Sequence, residues 1–467
     1  MPKKAVAIFF LLAFVGAALY VYFTFPRTKD QIPTSNNQRP FPSAPMPAPN
    51  TPNGVPVPDS VPKPNTPKVP PGPSLHVMAW ASDLDAQRLD ALADAFAKAT
   101  GRSVALTLDA DPASYRRDLA QALASGSAPD LCLVSSRDFC GLDPADLADA
   151  RPQGDFAPRS LAAFTVDGTV RAVPDEFAVD LLFYNTNHFD RAGIAYPGTH
   201  WTWDILEADA RALDSLHFKD AAGRPIYPLE LSADLDLWNI LCTAAGHPAL
   251  DLDTWHVASD LETQEAQLHA LDVLHELFHA YTITAPLPKG ADAPGAYFAQ
   301  QRASLLIAGS DYAAVLPRAV PFGVTLVPRD LVPASLAQVN GWAVTAKSTQ
   351  ADAARILAQY LAAAPVHAGW TSVHPPADPE SFDGICHAAM SHALLPRLDA
   401  KTTALAQFVD KQIGLLARND QPTTQVLYVR IQTAYAAAAG LAPRNAGVDP
   451  QTPTLRVEGG PRLQPDE

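Results

Sequence analysis

From Leu75 onward the chain alternates between two hydrophobic periods. "LHVMAWA" (75–81) is a short run of strand-forming residues, and Asp85–Thr100 then spaces its apolar positions along one helical face and stops at Gly101. "SVALTLDA" (103–110) reads as the next strand, Pro112–Ser125 as the next helix, and "APDLCLVSS" (128–136) as a third strand. Strand and helix in strict alternation predict an α/β layer with a mainly parallel sheet, because parallel neighbours need a crossover between them. A long helical section follows. Strand-like patterning returns at "FGVTLVP" (322–328) and "GWAVTA" (341–346). A sheet that is interrupted and later rejoined predicts two lobes linked by more than one crossover.

Ahead of this region the pattern changes twice. Lys3 and Lys4 precede an uncharged apolar run from Ala5 to Phe23, long enough to span a bilayer. The lysines place the N-terminus in the cytoplasm and everything after the span outside. The run is read as an uncleaved anchor, with a signal peptide cut near Val15 or Ala17 as the alternative. Residues 24–74 follow, crowded with proline from Pro26 to Pro73. Such a stretch builds no core and extends at about 3.1 Å per residue, giving a spacer with a reach on the order of 150 Å.

Composition refines this picture. At 467 residues the chain exceeds the usual single-domain size, its 48% hydrophobic content supports a large core, and its 45 prolines fit the spacer. The formal charge of −15 argues against a nucleic-acid partner. The cysteines at 132, 140, 242 and 386 are scattered, so they suggest neither a disulfide-built scaffold nor a C-x-x-C metal pair.

One motif points elsewhere. "LHELFHAY" (274–281) contains His275-Glu276-x-x-His279, the two-histidine helix of zinc peptidases. A catalytic zinc takes three protein ligands and a water. The third is missing here: "AYTITAP" lacks the extended histidine motif, and no glutamate occurs between Glu276 and Glu380. The helix also has an ordinary structural reading. Ser259-Asp260-Leu261-Glu262 resembles a capping box, and Leu271, Leu274, Phe278 and Tyr281 form an apolar stripe bordered by the histidines. No metal or other cofactor is expected, and a tethered zinc peptidase is kept only as the alternative.

Several stretches then fall in the order of a known family. "LASGSAPDLCLVSS" (123–136), "DGTVRAVPDEFAVDLLFYNTNHFDRAGI" (167–194), "WTWDIL" (201–206) and "NGWAVTAKSTQADAARILAQYL" (340–361) resemble landmarks of the extracellular solute-binding proteins, family 1, the maltose-binding-like proteins of ABC importers. The resemblance covers about Leu75 to Ala442. "YFAQQRASLLIAGSDY" (297–312) departs from it, lacking the usual glycine and methionine. The resemblance implies a two-lobe type II periplasmic-binding-protein fold, each lobe a mainly parallel sheet flanked by helices. The expected divisions are 75–175 and 321–365 for the first lobe, 176–320 and 366–441 for the second, and 442–467 for a loose tail.

Ligands in open α/β sheets lie beyond the carboxyl ends of strands. That rule selects Trp80, Ser82 and Asp83 after the first strand, and Ser135, Ser136 and Arg137 after the third. The resemblance adds Glu176, Phe177, Trp238, Asp311, Tyr312, Asn340 and Trp342. Sugars offer C–H faces to aromatic rings and hydroxyls to acids and amides, and this mixture suits them. Trp203 and Trp370 are read as packing residues. The expected protein is a non-enzymatic, monomeric sugar-binding component outside the cytoplasmic membrane, closing on its ligand and serving an ABC importer. A ligand sensor of the same fold is a further alternative.

Overall fold

The computed structural model describes residues 69–440 apart from 70–71, 248, 251–259, 281–282, 288–294, 364, 398 and 419–422. The anchor (1–23), nearly all of the spacer (24–74) and the tail (442–467) lie outside the described residues, as do Ser259 and Tyr281.

In chain order the elements are β1 (Leu75–Trp80), α1 (Asp83–Thr100), β2 (Val104–Asp109), α2 (Pro112–Ser125), β3 (Leu131–Ser135), α3 (Pro158–Ala163), β4 (Thr165–Val166), β5 (Thr169–Val170) and the long β6 (Ala172–Asn185). Then come α4 (Thr186–Ala192), α5 (Trp203–Ser215), β7 (Tyr227–Glu230), α6 (Leu235–Ala244), α7 (Leu261–His275), α8 (Ala296–Ala299), β8 (Ala303–Gly309), α9 (Tyr312–Val315) and β9 (Phe322–Thr325). The last are β10 (Ser335–Val344), α10 (Ala351–Leu361), β11 (Thr371–Ser372), α11 (Phe382–Met390), β12 (Ala393–Leu394), α12 (Ala400–Ala417) and α13 (Thr424–Ala438).

Helix ends follow their side chains. Ser82 caps α1 by accepting from the Asp85 N–H, and Gly101 closes it at φ +74°, a conformation glycine adopts without strain. Asp111 caps α2, which starts on Pro112. The cap of α7 is Asp260, accepting from the Thr263 N–H at 2.7 Å, one residue later than the capping box expected from Ser259.

The hydrogen-bonded strand order is β2-β1-β3-β10-β6-β8-β7. Both outer portions are parallel, β1 with β2 and β3, and β7 with β8. The centre is antiparallel, because β10 runs back between β3 and β6. The 14-residue β6 joins the two portions. Its first half, 172–179, lies between β10 and β11. Its second half, 180–185, lies between β8 and β9. Pairing therefore assigns residues 322–325 to the β8 side and 371–372 to the β10 side.

Where β6 meets β10 the ladder slips: Asn340 faces Glu176 while Gly341 faces Pro174. Pro174 has no N–H to give, so a bulge forms beside it and Asp175 is the extra residue. Only glycine fits at 341, since a Cβ there would meet the Val173 carbonyl at 2.9 Å and the Phe164 ring at 2.7 Å. The bulge turns two carboxyls inward. Asp175 Oδ2 accepts from the Trp342 indole at 2.9 Å, and Glu176 Oε1 accepts from the Asn340 amide at 3.2 Å.

Three apolar clusters surround this centre. One joins β1, β3 and β10 to α1 and α10 through Leu89, Phe96, Trp342 and Leu357. A second covers the opposite sheet face with Tyr115, Phe164, Phe177, Phe183 and Phe298. The third packs α5, α6, α7, α12 and α13 around Trp238.

Two serines fasten the crossing strands. Ser136 Oγ accepts from the Val339 N–H at 3.0 Å, and Ser310 Oγ accepts from the Val179 N–H at 3.2 Å. Both side chains are buried. Withdrawing a buried acceptor costs about 1–3 kcal/mol. Ser136→Ala and Ser310→Ala are each expected to lower the unfolding free energy by about that amount, read as a shift of the urea midpoint at unchanged slope.

Candidate ligand-binding cleft

A cavity of about 420 Å³ opens at the carboxyl ends of β1 and β3. Trp80 and Ser135 line it from the strands, Tyr115 and Arg116 from α2, and Arg137 from the loop beyond β3. Asp399 and Thr403 close it from the start of α12. The site thus mixes an aromatic face, a guanidinium pair and a helix N-terminus. Arg137 also reaches across to α6, where its Nη2 lies 3.2 Å from Asp236 Oδ2, both side chains half-buried.

The Trp80 indole is backed by a second ring. His367, from the loop after α10, lies 3.9 Å from it between centroids at an interplanar angle of 32°. The buried Glu176 carboxylate holds that loop: Oε2 accepts the Val366 and His367 N–H groups at 2.9 and 3.0 Å, and Oε1 meets the His367 Nδ1. On the other side Asp85 Oδ1 accepts the Ala368 N–H at 3.2 Å, and Arg88 donates to the Val366 carbonyl at 3.0 Å. Gly369 at φ +82° brings the loop so close to Asp311 that a Cβ would stand 2.8 Å from its carbonyl.

The residues selected from sequence divide into groups. Trp80 and Ser135 line the cavity. Ser82 and Asp83 are exposed at the start of α1, where Ser82 acts as the helix cap. Ser136 is a strand fastener. Glu176 and Asn340 are fully buried in the bulge network. Phe177 is a core ring, edge-on to His387 at 5.1 Å. Trp342 is buried with its indole bonded to Asp175, and Trp238 is buried with its indole donating to the Gln267 carbonyl at 3.1 Å. Tyr312 turns its hydroxyl to the Gly295 carbonyl at 2.6 Å and its ring to Phe183. Asp311 sits beside the 369 turn. Phe177, Trp238 and Trp342 are buried, and none of them lines this cavity. Sequence reasoning missed Arg116, Asp399, Thr403 and His367. Of these, Asp399 alone carried a local signal, since "DAKT" (399–402) reads as a helix cap, and Thr402 does bond Asp399.

Carboxyls gather near Arg137. Burial pushes Asp180 up to about 8, with Asp236, Asp234 and Asp311 adding repulsion and Arg137 opposing them. Asp234, beside them, is raised to about 6 for the same two reasons, burial first and Asp236 next. Asp175 is also held well above the ordinary carboxyl value, by burial and then by neighbouring Glu176.

In the peptidase-like motif His275 ends α7 and His279 lies in the π-helical turn that follows, Glu276–Ala280. The rings stand 4.8 Å apart, and His279 Nε2 approaches the Leu416 carbonyl at 2.6 Å. Among the described residues no group of three His, Cys, Asp or Glu is arranged to hold a metal ion.

The profile of the bacterial extracellular solute-binding proteins matches residues 91–377, more than half of the chain. The chain belongs to that family. A search of curated proteins by sequence finds no match. Solved structures share the fold. The GacH receptor of Streptomyces glaucescens, studied unliganded and with acarbose, aligns at TM-score 0.61 and 19% identity over 79% of this chain and 99% of its own. An ABC substrate-binding protein of Listeria monocytogenes, in complex with cycloalternan, aligns at 0.60 and 18% over 79% and 99%. A maltose-bound T. maritima protein aligns at 0.59 and 18% over 78% and 100%. The architecture is the two-lobe type II binding-protein fold. Family membership places the solute-binding protein in the periplasm or at the cell exterior, and among the described residues no helix is long and apolar enough to cross a membrane.

The raised Asp180 gives a pH signature. Its carboxyl keeps a proton in the folded chain up to about pH 8, whereas the unfolded chain releases it near pH 4. The folded state binds the extra proton between those values, so this group's contribution to stability falls as pH rises through the window. Asp180→Asn is expected to flatten that part of the decline, measured as urea midpoints from pH 4.5 to 9.

Proposed function

We propose that the chain captures a sugar or oligosaccharide in the 420 Å³ cavity, closes its lobes on it and delivers it to an ABC importer, without breaking a bond. The observation that carries this reading is the position of the cavity. It lies at the carboxyl ends of β1 and β3, with Trp80 on one side and Asp399 and Thr403 of α12 on the other. The aromatic face suits the C–H side of a sugar ring, and Arg116, Arg137, Ser135 and Asp399 suit its hydroxyls. The fold-mates in complex with acarbose, cycloalternan and maltose support that ligand class. Residues 5–23 would tether a monomeric binding lobe pair to the membrane, with 24–74 as its spacer.

The test is a thermal-shift series with maltose, maltotetraose, acarbose and cycloalternan. A ligand at a hundred times its Kd stabilises the native state by about 2.7 kcal/mol. At least one of the four is expected to raise the melting temperature, and Trp80→Ala to weaken that ligand about tenfold, equivalent to the loss of about 1.4 kcal/mol of stacking. No shift with any of the four would remove the sugar assignment, and an undiminished affinity in Trp80→Ala would move the ligand off this face.

A further inference from the structure

We propose that His367 is a positioning residue for the aromatic face of the cleft: it supports the Trp80 indole from behind, and its bond to Glu176 makes that support depend on pH. The part concerning ligand rests on the sugar-capture reading above; the part concerning the rings does not.

Trp80 lines the cavity and packs its indole against the His367 ring, the centroids 3.9 Å apart and the planes tilted by 32°. His367 is buried, 4% exposed, and Glu176 behind it is 0% exposed. Both ring nitrogens face acceptors, Nδ1 the Glu176 carboxylate and Nε2 the Trp80 carbonyl at 3.4 Å. A neutral imidazole has a single N–H and serves only one of them, so the arrangement matches the imidazolium, which donates at both ends. The proton therefore ties the ring at once to the crossing strand β6 and to the end of β1.

The charged groups facing His367 are Glu176 from β6, with Asp175 adjacent to it, and Asp85 from α1, with Arg88 beside Asp85 at 3.6 Å. Burial by itself lowers His367, but the Glu176 charge and hydrogen bond, then Asp85 and the Trp80 carbonyl, carry it above the ordinary histidine value. The sign follows. Support is complete below about pH 6.5, the unfolded-chain value, and is lost as pH rises through the higher folded value. On deprotonation the ring gives up one of its two bonds, and the Trp80 face loses its backing.

Tryptophan emission of the full chain tests this without any ligand. An imidazolium against an indole quenches its emission, so the spectrum from pH 5 to 9 is recorded for wild type and Trp80→Phe. Subtraction isolates Trp80 from the remaining tryptophans, including Trp370, whose ring lies 5.9 Å from His367. The expected difference signal shows one transition with its midpoint above 6.5, quenched on the acid side. His367→Gln abolishes it, and Glu176→Gln moves its midpoint down by about one unit, a tenfold loss of proton affinity. A flat difference signal in the wild type, or a transition surviving in His367→Gln, overturns the proposal. If either variant fails to fold, the comparison of wild type with Trp80→Phe still decides it. A second arm measures maltotetraose binding at pH 5.5 and 8.5, where affinity is expected to fall about fivefold at the higher pH in wild type and to stay level in His367→Gln. Equal wild-type affinity at both values overturns the ligand part. Absence of maltotetraose binding at both counts against the sugar assignment, while the emission transition still decides the role of His367.

Discussion

A carboxylate with no exposure to solvent must find its donors within the protein, and Glu176 finds them in two separate parts of the chain. The Asn340 amide comes from β10, the Val366 and His367 N–H groups from the loop after α10, and the His367 ring from the same turn. Loss of any one leaves a buried charge short of a partner, which is costly in a low-dielectric interior. The network therefore fixes how β6, β10 and the 366–370 loop sit together. Since β6 is the strand that joins the two portions of the sheet, the arrangement of the cleft depends on this one side chain. The bulge beside Pro174 is what makes the geometry possible, because it turns Asp175 and Glu176 inward from consecutive positions.

The same network explains how a residue far along the chain comes to serve the first strand. His367 reaches Trp80 only because Glu176 holds its backbone and Asp85 holds the next N–H. The loop is fastened at both of its edges before its ring is placed. Gly369 completes the turn by admitting the Asp311 backbone, so the chain before α9 packs against the same loop.

The α/β alternation was legible over 75–136 because period and breakers agree there: Gly101 and Pro112 mark ends where the structure has them, while α1 begins at Asp83, two residues before the expected Asp85, because Ser82 caps it. The carboxyl-end rule selected Trp80 and Ser135, which line the cavity. It did not separate cavity-lining aromatics from core aromatics. Trp238 and Trp342 look like stacking platforms in sequence, but each has its indole N–H satisfied inside the protein, by Gln267 and by Asp175. His367 was invisible for a different reason. Its role comes from a partner 191 residues away, and no local pattern encodes such a pairing. In the same way "FGVTLVP" reads as a strand but says nothing about which half of β6 it pairs with.

The direct ion pair across the cleft, Arg137 with Asp236, is half-exposed on both sides. Pairs of that kind contribute about 0–1 kcal/mol. Turning a mostly open population into a mostly closed one takes about 5.5 kcal/mol. The ion pair is therefore too weak to close the lobes, and Asp234 and Asp410 repel the same carboxylate that Arg137 attracts. A micromolar ligand brings about 8 kcal/mol of binding energy, enough to supply the difference if it touches both walls of the cavity. On the proposed reading, closure would report the ligand rather than the salt bridge, and the bridge would serve to hold Arg137 at the cavity wall.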